Sequence, residues 1–128
     1  MFSGVVHTSG FDSDLKHLRK RYQSLDQDLD VLVKALYVWL CLRHGAGQSL
    51  GKIYVVLGGY GSNGCCLYKV RYMACASIPG KGSWTGLRVI FAYWPESDTL
   101  EFIQIYLKAD SKREDQARIR KYLKTVRQ

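Results

Sequence analysis

Lys69, Arg71, Arg88 and Lys108 carry the positive charges that matter most, because of where they fall between Cys66 and Lys108. That stretch contains three runs, CLYKVRYMACA, GLRVIFAYW and LEFIQIYLK, each alternating with the two-residue period of a half-buried strand. One face collects Tyr68, Val70 and Tyr72, then Leu87, Val89, Phe91 and Tyr93, then Ile103, Ile105 and Leu107. The opposite face collects the four cations with Gln104 and Tyr106. Guanidinium groups bind phosphate or carboxylate oxygens bidentately and hold their charge at any ordinary pH. Strands hold them in place, so the sequence predicts an anion-binding surface on a rigid sheet.

Charge distribution supports that reading. The formal net charge is +8, and no acidic residue lies between Asp30 and Glu96. Lys34, Arg43, Lys52, Lys69, Arg71, Lys81 and Arg88 all lie in that interval. Such a field suits a polyanion, nucleic acid first, or an acidic protein partner. A hydrophobic content of 47% in 128 residues predicts one globular domain over residues 1–128. No apolar run is long enough to span a bilayer, and MFSGVVHTSGF lacks the basic start and apolar core of a signal peptide. A cytoplasmic protein without membrane contact is expected. The four cysteines, at 41, 65, 66 and 75, show no zinc spacing and are read as buried, reduced thiols; no metal or cofactor is expected. His7, His17 and His44 are read as surface or capping groups. Gly47-x-x-x-Gly51-Lys52-Ile53 is one residue short of a P-loop, which excludes that kind of nucleotide hydrolysis.

The remaining segments supply the elements that must position the cations. Residues 2–8 suit a short strand. A helix opening at Ser9 or Gly10 carries Phe11, Leu15, Leu18 and Tyr22 on one face. Ser24-Leu-Asp-Gln27 fits a capping box for a second helix, with Leu25, Leu29, Leu32, Leu36 and Leu40 inside, widened by Val33 and Trp39, and a stop at His44–Gly45. Lys52–Leu57 is a strand or an extended connector, residues 58–64 form a glycine-rich turn, and Pro95–Asp98 forms a tight hairpin turn. Ser111-Lys-Arg-Glu114 fits another capping box, before a last helix that buries Ile119, Tyr122, Leu123 and Val126. The expected class is α+β: an antiparallel sheet of three to four strands, an N-terminal helical hairpin and a C-terminal helix, with the helices over the apolar face.

This order, with LYKVRY, GLRVIFAY and FIQIYLKADSKRED as its most specific pieces, resembles the RelE/ParE toxin superfamily of type II toxin–antitoxin modules from about Val5 to Leu123. The resemblance implies a RelE-like fold and one of two activities. RelE-type members are mRNA interferases that cut translated message in the ribosomal A site without metal; ParE-type members inhibit DNA gyrase without nuclease activity. Either is held by a cognate antitoxin, through which operator DNA is reached. A degenerate member that only binds its antitoxin is the third alternative.

Lys69 and Arg71 match the paired basic residues of the interferase strand, and Arg88 matches the arginine that contacts the scissile phosphate. Lys108 lies where the last strand ends in a basic residue in many members. RelE follows that lysine with an arginine and places a catalytic tyrosine early in its final helix; here those positions are Ala109 and Asp115. Cleavage by 2′-hydroxyl attack needs a base, an acid and a cation for the phosphorane. Arg88 takes the last role, with Lys69 and Arg71 beside it, and Lys69, Lys108 or Tyr106 would move protons, their pKa values lowered by the surrounding cations. Tyr106 could equally stack on a base. Lys81, Trp84, Lys112 and Arg113 are the further candidate RNA contacts, with Trp84 and Trp94 also open to the antitoxin.

Overall fold

The alternating runs pair into one sheet, as their period requires. The computed structural model describes residues 1–43, 54–58 and 64–126. In chain order the elements are β1 (Gly4–His7), α1 (Ser9–Arg19), α2 (Leu25–Tyr37) continued by a π-helical segment (Val38–Arg43), β2 (Tyr54–Val56), β3 (Cys66–Val70), β4 (Leu87–Trp94), β5 (Thr99–Leu107) and α3 (Gln116–Val126). Strands β2 to β5 form the expected antiparallel meander, and β1 lies parallel to β5 at the far edge, giving the order β1-β5-β4-β3-β2. The α+β class stands, with β1 as a fifth strand.

Helices cover both faces, not only the one expected. Phe11, Leu15 and Leu18 of α1 and Leu25, Leu29, Leu32 and Leu36 of α2 pack on Tyr68, Val70, Val89, Phe91 and Ile105. On the opposite face Ile119, Tyr122 and Leu123 of α3 pack on Leu67, Ile90, Ala92, Ile103 and Tyr106. The reason is in the sequence of the strands: Leu67, Ile90 and Ala92 are apolar on the side that the cations were expected to hold open, and burial of a leucine or isoleucine contributes about 1.5–3 kcal/mol.

Ile103 also departs from its expected face. Ile90 pairs with Gln104, but Phe91 pairs with Phe102, so Ile103 is the extra residue of a β-bulge. It turns towards α3, while Leu100 and Phe102 turn to the helical hairpin. Strand β1 stops at His7 beside Phe102, and side chains take over the edge of β5 beyond it. The Ile103 carbonyl accepts from Thr8 Oγ1 (3.3 Å) and Arg118 Nη1 (3.1 Å), and the Ile105 N–H donates to Asp14 Oδ2 (3.2 Å). Arg118 in turn grips Asp14 through two nitrogens, at 2.6 and 3.2 Å.

Helix α1 opens at Ser9, as expected, but neither expected capping box forms. Thr8 caps α1, its Oγ1 accepting from the Phe11 N–H at 3.2 Å. Ser24 makes no capping bond; its hydroxyl donates to Asp28 Oδ2 (2.7 Å) and accepts from the Ser77 N–H (2.8 Å), tying the loop after β3 to α2. The Ser111–Glu114 capping box does not form either: α3 starts at Gln116, and Asp115 Oδ1 accepts from the Arg118 N–H at 3.0 Å. Glu114 is thereby left for another contact. The Pro95–Asp98 turn closes through the Asp98 N–H to the Pro95 carbonyl, with Asp98 at φ 51°. The expected helix stop at His44–Gly45 and most of the glycine-rich turn lie outside the described residues. All four cysteines are free, but Cys41 is exposed, unlike buried Cys65 and Cys75. Among the described residues no helix is long and apolar enough to cross a membrane.

Candidate anion-binding site

Strand β3 ends at Val70, where its ladders with β2 and β4 both stop, and not at Ala76. Arg71 and Tyr72 therefore leave the sheet. Arg71 is exposed, and Tyr72, expected on the apolar face, swings beside Arg88. The loop that follows is pinned by Ser77 on Ser24 and by Thr85, whose hydroxyl donates to the Met73 carbonyl at 2.6 Å and accepts from the Leu87 N–H at 3.2 Å. It carries Trp84 back against Tyr72, ring centroids 4.7 Å apart in an edge-on arrangement, with Trp84 71% exposed.

Arg88 projects from β4 between these groups. Its Nη1 donates to the Arg71 carbonyl, and its guanidinium carbon lies 5.8 Å from the centroid of the Tyr72 ring. Across the ladder, Tyr106 of β5 stands directly opposite, and Lys108 follows at the strand end, its backbone N–H donating to the Gly86 carbonyl at 2.8 Å. Tyr72, Trp84, Gly86, Arg88 and Lys108 line one shallow cleft of about 190 Å³. None of these residues is acidic. The space is below the ~300 Å³ at which small-molecule pockets begin, so it suits a single phosphate or carboxylate with a flat ring beside it on Trp84.

Lys69 and Tyr106 do not join that cleft. Lys69 Nζ lies 3.0 Å from Glu114 Oε1, with side-chain exposures of only 14% and 10%. The expectation that no acid pairs these cations is overturned by Glu114. Burial raises its pKa, but the Lys69 hydrogen bond and charge outweigh that and hold the carboxyl below its ordinary range. Tyr106 is 7% exposed under α3 and cannot stack on a base as it stands. Its enclosed hydroxyl has no hydrogen-bond partner of normal geometry among the described residues. Burial pushes its pKa up; nearby Lys69 pulls it down, yet burial prevails, so the expected cation-lowered phenol is instead a protonated one.

Of the further candidates, Lys81 is exposed on the turn before Trp84, and Lys112 and Arg113 are exposed on the segment between β5 and α3. Trp94 is committed to the fold, its indole N–H donating to the Tyr122 hydroxyl at 2.9 Å. Trp39 is core. Glu114 and Tyr72 are the residues that sequence reasoning missed or misplaced. Within the described residues no group of three or more His, Cys, Asp or Glu could hold a metal ion.

No family model matches the sequence, and no curated protein matches it. Among solved structures, the archaeal RelE–RelB complex from Pyrococcus horikoshii OT3 contains a chain similar to this one, with a TM-score of 0.50 and 14% identity over 87% of this chain and 100% of that chain. At that identity the likeness is one of architecture: this chain has a RelE-like α+β fold.

Proposed function

We propose that this protein is the toxin of a type II toxin–antitoxin module and a metal-independent mRNA endonuclease, acting in the cytoplasm on message in the ribosomal A site and held by a cognate antitoxin. The observation that carries the reading is the acid-free cleft in which Arg88 and Lys108 converge beside Tyr72 and the exposed Trp84. The solved neighbour being a RelE–RelB complex supports an antitoxin partner for this chain. In the reaction the RNA 2′-hydroxyl gives up its proton to solvent water as it attacks the adjacent phosphorus, and the bond to the 5′-oxygen breaks. Arg88 holds the non-bridging oxygens as their charge grows, a role for which preorganised cations contribute most. Lys108, as an ammonium group in the same cleft, gives the departing 5′-oxygen its proton. Arg71, Lys81, Lys112 and Arg113 bind flanking phosphates, and Trp84 stacks on an unpaired base.

One observation favours a second reading, a toxin that binds its target without cutting: Lys69 is neutralised by Glu114 and Tyr106 is enclosed. A pulse of expression in cells separates the two. Growth arrest with new 5′ ends on translated messages, both lost in Arg88→Ala, is the expected result. Arrest with intact messages and a DNA-damage response would instead identify a gyrase-directed toxin. No arrest would leave only antitoxin binding.

A further inference from the structure

Lys69 does not behave like the other cations of its sheet face. Arg88 and Lys108 face a cleft, whereas the Lys69 side chain is only 14% exposed and its ammonium group is held by a carboxylate from 45 residues away. The residue that supplies the carboxylate comes from the segment between β5 and α3, not from a strand. That segment is laid across the sheet by two adjacent contacts. Glu114 reaches Lys69, and the Asp115 N–H donates to Gln104 Oε1 at 2.8 Å. Lys69, Ile90 and Gln104 stand in one row across β3, β4 and β5, and Arg88 and Tyr106 stand in the next row on the same face. Same-face rows of a strand are about 6.8 Å apart, a separation that matches successive phosphates of an extended RNA strand. Tyr106 interacts with Lys69 across the rows, and its buried hydroxyl donates to no acceptor among the described residues. An unsatisfied buried hydroxyl is costly and calls for an acceptor that the described residues do not provide.

We propose that Glu114 is a built-in anion plug: its carboxylate holds Lys69, the cation of a second phosphate subsite whose further donor is the unused Tyr106 hydroxyl, and RNA must displace it to be bound across both rows. This rests on the proposed RNA-binding role of the Arg88 cleft and adds its regulation. With the plug in place, the sheet face grips one phosphate, at Arg88 and Lys108, besides the flanking phosphates held by the loops. With Glu114 displaced, Lys69 takes the next phosphate and Tyr106 donates its unused hydrogen bond to the same oxygens. Glu114 is well placed to move because it precedes α3 and belongs to no helix or strand.

The test uses the whole chain and a fluorescent single-stranded RNA 10-mer, with anisotropy read as a function of salt. Glu114→Gln should bind roughly tenfold tighter at low salt, the scale of one charge-assisted contact. Its log–log salt slope should steepen by about 0.7, the contribution of one further phosphate on a single strand. Combining Glu114→Gln with Lys69→Met should return both quantities to the wild-type values. Asp110→Asn, which removes the same charge from the same segment, should change neither. Circular dichroism confirms that each variant is folded at the assay temperature, and the double variant, free of an unpaired buried charge, keeps the comparison available if Glu114→Gln is unstable: it then must match wild type. If Arg88→Ala weakens binding while Glu114→Gln binds as wild type, or the double variant differs from wild type, the plug is overturned and the cleft stands. If Arg88→Ala binds as wild type, the cleft itself is wrong.

Discussion

At the scale of single residues, the cations that looked equivalent in the sequence divide by what surrounds them. Arg88 keeps its guanidinium at the surface because the Arg71 carbonyl and the Tyr72 ring orient it without neutralising it. Lys69, two residues before Arg71, is neutralised by Glu114. The period-two pattern was enough to put Lys69, Arg88, Gln104 and Tyr106 on one face, because a strand fixes side-chain direction whatever lies above it. It could not reveal Glu114, since pairing a strand residue with one 45 positions later depends on where α3 begins, and the Ser111–Glu114 motif pointed to a different helix start. Tyr106 gives a residue-scale prediction. Its hydroxyl is buried and donates to no acceptor among the described residues, so Tyr106→Phe removes a desolvated polar group and loses at most a weak contact with Lys69. The variant should be as stable as wild type or about 1 kcal/mol more stable in urea unfolding; a loss of more than that would show that the hydroxyl has a partner in solution.

At the scale of elements, the bulge in β5 decides which residues reach which layer. Without it Ile103 would face the helical hairpin with Ile105, and Phe102 would face α3. No glycine marks the bulge in the sequence, and its support comes from far away: Asp14 on α1 and Arg118 on α3 satisfy the Ile105 N–H and the Ile103 carbonyl that β1 is too short to pair. Those two side chains also join the helices of opposite faces across the open edge of the sheet. The strand was therefore legible and its irregularity was not. Asp14→Asn should loosen the bidentate grip and leave the Arg118 charge partly buried without its counter-ion. Removing one partner of a buried pair costs about 3–5 kcal/mol, and less here because Arg118 is 30% exposed. A drop of about 2 kcal/mol in unfolding free energy, with faster amide exchange at Ile105 than at Val89, is the expected outcome. A uniform increase in exchange, or none, would mean that the pair does not hold the bulge.

At the scale of the whole molecule, a five-stranded sheet is covered by helices on both sides, and one end, where β4 and β5 meet the loop of Tyr72 and Trp84, leaves cations facing solvent. The net charge of +8 steers a polyanion to the surface in general; the cleft gives it a place to stop. The general charge and the α+β order were legible from composition and periodicity. The end of β3 at Val70 was not, because the run from Cys66 to Ala76 alternates evenly and nothing local says where its ladder partners stop. The central claim is that the Arg88–Lys108 cleft cuts RNA through its 2′-hydroxyl. The most direct measurement is the chemistry of the ends produced when the purified protein meets message on a programmed ribosome, with and without one 2′-deoxy nucleotide at the cut site. The account predicts 2′,3′-cyclic phosphate and 5′-hydroxyl ends, cutting abolished by the single deoxy substitution, and no cutting by Arg88→Ala. Ends carrying a 5′-phosphate, or cutting that survives the deoxy substitution, would contradict it.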